Sequence, residues 1–192
     1  MNDEIARIRE TLEGSDFLQR SFPVLFHPGV KDEDVLIHSI GCSLWNTLGH
    51  ELGFSAVVEA PAPTAAGCDI RSDSVWFNRS TWSPEVLIEF ERFEGGARGT
   101  TKLDAKVANL LEAASRWGRG PRLLILSAWS KGIVNAPSVD SFRHALLRGI
   151  KNSLGVHVPG RPGCALLFIR FIFRTQAPGL LTLHSRSFAE VA

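Results

Sequence analysis

R-S-D-S-V-W-F-N (residues 71–78), a turn at S-T-W-S-P (80–84), V-L-I-E-F-E-R (86–92), a glycine-rich segment (93–101) and K-L-D-A-K (102–106) form the stretch that decides how this chain folds. Two apolar runs of strand length each carry acids. Side chains alternate along a strand, so Glu89 and Glu91 share one face of residues 86–92 while Ile88, Phe90 and Arg92 share the other. Two carboxylates two positions apart lie about 7 Å apart. Among apolar neighbours they are costly unless a cation compensates them. Asp73 precedes Glu89 by sixteen residues, room for a strand, a turn and a return that sets the two acids on neighbouring strands. Mg²⁺ needs only one or two protein carboxylates and keeps several waters, so this set suits metal-assisted phosphodiester chemistry.

At these residues the chain resembles the PD-(D/E)XK nuclease superfamily, over roughly Asp32 to Trp129. Asp73 matches the acid of the first motif and Glu89 that of the second. Glu91 stands where the family usually has lysine, and Ser72 stands where it has the proline. Some members carry the same E-x-E variant. Lys106 on the following helix, or Lys102 one turn earlier, would then supply the displaced ammonium group. The resemblance implies an α/β, restriction-endonuclease-like three-layer fold, its mixed central sheet flanked by helices. It implies a Mg²⁺ (or Mn²⁺) endonuclease acting on DNA. Asp73 and Glu89 would be the metal ligands, Asp73, Glu89, Glu91 and Lys106 the catalytic set, and Arg98 and Lys102 contacts to the nucleic acid. Family members often dimerise to cut both strands, so a homodimer is one expected partner, and a protein of a defence or repair system another. Glu51, on the first long helix, falls where the family often adds an acid; an ordinary solvent-facing glutamate is the other reading.

Composition fits one core. The 192 residues are 44% hydrophobic, enough for a single domain over 1–192, with 1–31 as an N-terminal helix and connector. The acidic start M-N-D-E argues against a secretory signal. No stretch reaches the roughly 18 apolar residues of a membrane span. Three cysteines, Cys42, Cys68 and Cys164, are too few and scattered for a disulfide frame or zinc cluster, so a reducing, cytoplasmic setting is expected. The net charge of +1 hides a division: residues 1–96 hold 7 Lys+Arg against 16 Asp+Glu, and residues 97–192 hold 14 against 4. An acidic centre beside a phosphate-binding surface would produce this, and so would two halves that neutralise each other.

Outward from the central stretch, Ile5, Ile8 and Leu12 are at helical spacing, with a break at Gly14-Ser15, and F-P-V-L-F-H-P-G (22–29) is a connector. A helix from Asp32 has Ile37, Ile40, Leu44, Leu48 and Leu52 on one stripe and Gly53 as its stop. Its other face carries His38, Ser43, Asn46, His50 and Glu51. His50-Glu51 opens an H-E-x-x-H pattern, but Phe54 ends the zinc-protease reading. S-A-V-V-E-A (55–60) is the first strand. Asp69 competes with Asp73, which is preferred because it precedes V-W-F within a strand. Residues 93–101 read as a flexible loop, without a nucleotide-binding glycine pattern. A helix then runs from Lys102 to Trp117. R-L-L-I-L-S-A-W (122–129) is a buried central strand, and a helix led by Ser138 carries Arg143, His144, Arg148 and Lys151 to about Leu154. A closing hairpin joins residues 164–174 to 180–188.

Two other functions fit. A nuclease-fold protein that no longer cleaves, and binds nucleic acid or a protein, would explain the absent E-x-K lysine. An unrelated α/β enzyme with incidental strand acids would place Asp73 and Glu89 on opposite sheet faces.

Overall fold

A computed structural model describes residues 2–63, 69–118, 120–152 and 154–191. Cys68 and part of the proline-rich loop lie outside them. The protein is mixed α/β. Its main sheet has seven strands in the order β1-β9-β8-β5-β4-β3-β2: β1 (Val30–Lys31), β2 (Ser55–Pro61), β3 (Arg71–Phe77), β4 (Pro84–Arg92), β5 (Leu123–Lys131), β8 (Ala165–Ala177) and β9 (Leu180–Glu190). β4, β5 and β8 are mutually parallel, and the outer pairs are antiparallel. β6 (Ile150–Lys151) and β7 (His157–Val158) make a small separate hairpin.

Parallel strands need covered crossovers, and α4 (Gly96–Arg116) supplies the one between β4 and β5. Its Leu103, Val107, Leu110 and Leu111 join Leu87, Leu124 and Leu126 in one core, to which α5 (Asp140–Arg148) adds Phe142 and Leu146. The opposite face is covered by α1 (Asn2–Glu13), α2 (Ser15–Ser21) and α3 (Asp34–Glu51), whose Ile8, Leu18, Trp45 and Leu48 pack with Ile88, Ile125 and Leu167. The N-terminal segment therefore completes a core rather than trailing from one. β5, buried along all but its last residue, is the doubly covered strand that its unbroken apolar run demands. No helix among the described residues is long and apolar enough to cross a membrane.

Two boundaries differ from the sequence expectation. The glycine-rich segment is not a loop throughout: α4 begins at Gly96, so Arg98 lies in its first turn and falls four residues from Lys102 and eight from Lys106, on one helical stripe. The helix after β5 stops at Arg148, short of Lys151 and Leu154. Gly149 takes φ +85°, and a Cβ there would meet the Val158 carbonyl oxygen at 2.2 Å, so the chain turns into the β6–β7 hairpin.

One close approach positions the site. Gly41 lies on α3 directly over Phe90, where an added Cβ would be 2.1 Å from the ring. Only glycine lets the helix come down this far onto β4, and the neighbouring turn brings His38 and Cys42 to the end of β3.

Candidate functional site

β3 and β4 pair from Phe77–Pro84 up to Ser74–Ile88, and there the ladder opens. The next N–H on β4, that of Phe90, donates instead to Asp73 Oδ2 at 2.6 Å. A side-chain carboxylate thus occupies a place that a backbone carbonyl would otherwise fill, and holds Asp73 between the two strands, 7% exposed. From this fork Asp73 meets groups on both faces of the sheet. Lys106 Nζ of α4 lies 3.8 Å from Oδ2, and His38 Nε2 of α3 lies 3.8 Å from Oδ1.

Glu89 sits deeper, 1% exposed. Its Oε2 accepts from Lys106 Nζ at 2.6 Å, while Oε1 is buried and makes no hydrogen bond among the described residues. Burial pushes the Glu89 carboxyl from its ordinary 4.5 up to about 8, with Lys106 pulling it down and Asp73 and Glu59 pushing it further up. Burial alone would lower the Lys106 ammonium, but Glu89 and Asp73 outweigh it and hold Lys106 above the usual lysine range. The amine is charged, whereas burial holds the acid beneath it toward its neutral form even with Lys106 alongside. An orphaned oxygen on a buried acid, next to a second acid, is a donor set that a divalent cation fits.

Glu91 is half-buried at the end of β4, and its Oε1 accepts the N–H of Arg92 at 2.8 Å. Its charge adds to the field that raises Lys106. Arg98 and Lys102 are exposed on α4, two turns and one turn before Lys106 respectively. Asp69 is exposed and pairs with Arg71 at 2.9 Å, outside the cluster. Glu51 is exposed and pairs with Arg20 at 2.7 Å, the solvent-facing alternative of its two readings. Because Asp73 and Glu89 reach the same ammonium group, the arrangement expected of incidental strand acids is absent.

Three residues of the cluster escape the motif reading. His38 and Cys42, four apart on α3, point to Asp73, and the His38 Nε2–Cys42 Sγ distance is 3.6 Å. Burial pushes the Cys42 thiol up to about 12, with Asp73 and Glu59 adding to it. Glu59 occupies the skipped position in the β2–β3 register, between Val58–Ser74 and Ala60–Ser72. Its φ of +50° is rare for a residue with a Cβ.

No family model matches the chain, and no curated protein and no solved structure matches it significantly. The site's chemistry rests on its own geometry.

Proposed function

We propose that this protein is a metal-dependent DNA endonuclease with a restriction-endonuclease-like three-layer fold of the PD-(D/E)XK type. One observation carries the proposal: Lys106 Nζ lies 2.6 Å from Glu89 Oε2 and 3.8 Å from Asp73 Oδ2, so two acids of adjoining strands and a helix-borne lysine share one point. This supports reading Asp73 and Glu89 as the acid pair, and Lys106 as the displaced amine, of an E-x-E variant.

Asp73 and Glu89 would hold Mg²⁺ or Mn²⁺, which when bound supplies Lewis-acid stabilisation of phosphoryl charge. Lys106, charged and anchored by Glu89, presents N–H donors to the attacking water or the scissile phosphate and stabilises the negative charge that develops there. Glu91, with one oxygen tied to the backbone, is placed to accept a proton from water on the solvent side. Arg98 and Lys102 extend a cationic stripe outward from Lys106 for the DNA backbone, contacts that position without reading sequence. A homodimer would allow both strands to be cut, and a cytoplasmic setting in defence or repair suits this chemistry.

A second reading is favoured by the Lys106–Glu89 pair, which neutralises Glu89 without any metal: a non-cleaving protein of the same architecture that binds nucleic acid or a protein partner. Incubation with plasmid DNA and Mg²⁺ or Mn²⁺ separates the two. Cleavage that disappears in Asp73→Ala and Glu89→Ala supports the nuclease. Metal-independent retention of DNA that weakens with salt, without product, supports the binder.

A further inference from the structure

His38, Cys42 and Asp73 each offer one donor atom, an imidazole nitrogen, a thiol sulfur and a carboxylate oxygen, all within 4.8 Å of one another. Tetrahedral Zn²⁺, with bonds of about 2.0–2.1 Å to nitrogen and oxygen and about 2.3 Å to sulfur, separates its ligands by roughly 3.4–3.6 Å. The His38–Cys42 and His38–Asp73 separations are 3.6 and 3.8 Å, so closing on an ion needs only small side-chain movements.

We propose that His38, Cys42 and Asp73 form a binding site for a thiophilic divalent cation, Zn²⁺ in the first instance, on the α3 side of the sheet. The nuclease reading does not contain this site and is not needed for it. The cation it assigns to Asp73 and Glu89 is held by oxygens alone, whereas a sulfur–nitrogen–oxygen set selects against Mg²⁺ and for Zn²⁺ or Co²⁺.

The scaffold is rigid where it must be. His38 and Cys42 project from one face of α3, which is fixed at its distance from the sheet by the Gly41–Phe90 contact. Asp73 Oδ2 is anchored by the Phe90 N–H, leaving Oδ1 directed at His38. The His38 side chain is 42% exposed, which gives an ion a route from solvent, and the three ligands leave a fourth position for water. Binding releases the Cys42 proton, because the thiolate is the ligand. The i, i+4 spacing of a histidine and a cysteine on one helix face, with a carboxylate brought in from a strand, is the placement such a site requires.

Cobalt reports on the site directly. Co²⁺ is added to the reduced, metal-free protein, and the thiolate-to-cobalt charge-transfer band in the near ultraviolet is recorded with the visible bands of tetrahedral cobalt. Both are expected in the wild type, bleached by one equivalent of Zn²⁺ and untouched by a large excess of Mg²⁺. Cys42→Ser should lose the charge-transfer band and His38→Ala should weaken Co²⁺ binding, while Cys164→Ser and Cys68→Ser retain both. Circular dichroism identifies any variant that is unfolded, and half-exposed His38 provides a second substitution if Cys42→Ser does not fold. Absence of the band in the wild type, its survival in Cys42→Ser, or its displacement by Mg²⁺ overturns the proposal. Glu89→Gln should keep the band even where it abolishes DNA cleavage, so the two readings fail separately.

Discussion

Replacing Glu89 by glutamine should stabilise the metal-free protein, by an amount that grows with pH. Glutamine keeps the shape of the neutral acid and cannot ionise. In the wild type the folded carboxyl has its pKa raised from 4.5 to about 8. The folded state therefore binds more protons than the unfolded one across that window, and wild-type stability falls as pH rises through it. At 1.36 kcal/mol per unit the full effect has a ceiling on the order of 5 kcal/mol. Side-chain relaxation and water entry reduce this to about 1–3 kcal/mol. Lys106, deprived of Glu89, keeps Asp73 at 3.8 Å. Urea unfolding of both proteins with chelator, at intervals from pH 4.5 to pH 9, gives the difference directly, since groups that titrate alike in the two proteins cancel. The Glu89→Gln advantage should be smallest at the acid end and level off above pH 8. A difference that is flat with pH, or that moves toward the wild type as pH rises, would show that Lys106 keeps Glu89 ionised throughout, and the argument from burial would be refuted. Mg²⁺ at about a hundred times its dissociation constant should then restore roughly 2.7 kcal/mol to the wild type and nothing to the variant.

Lys106→Met leaves Asp73 and Glu89 without their shared cation; the expected loss is about 1–3 kcal/mol at pH 8, shrinking toward pH 5 as Glu89 takes up a proton, measured by the same unfolding series. Gly41→Ala drives a methyl group into the Phe90 ring and should cost about 1–3 kcal/mol. It should also weaken Co²⁺ binding by lifting His38 and Cys42 from Asp73; a variant as stable as the wild type would mean that α3 can shift freely. Alanine at both Arg98 and Lys102 should flatten the dependence of DNA affinity on salt by about two ion equivalents if both contact phosphates, as titrations at several salt concentrations would reveal.

Much of this arrangement is readable from residue order because it depends on strand alternation and on short connections. V-L-I-E-F-E-R places Glu89 and Glu91 on the face opposite Phe90, and a turn near Pro84 is enough to return β4 beside β3. The lysine is set by the helix start. Lys102 and Lys106 differ by one turn, and only the start of α4 at Gly96 decides which of them lies over Glu89. His38 and Cys42 share a helix face by simple counting, yet they do not read as a cluster because Asp73 is thirty-one residues beyond Cys42 on a strand. Glu59 carries no sequence signal, since a left-handed backbone usually calls for glycine or asparagine. The early end of α5 was legible in principle: Gly149 follows a basic last turn, the ordinary sign of a helix stop.

The fork at Asp73 turns one carboxylate into common property. Its two oxygens look toward opposite sides of the sheet, so negative charge drawn by an ion beside α3 is withdrawn from whatever sits beneath α4. If Zn²⁺ occupies the α3 side, Mg²⁺ affinity on the α4 side should fall with no movement of the backbone, and Mg²⁺ titrations with and without Zn²⁺ would show the difference.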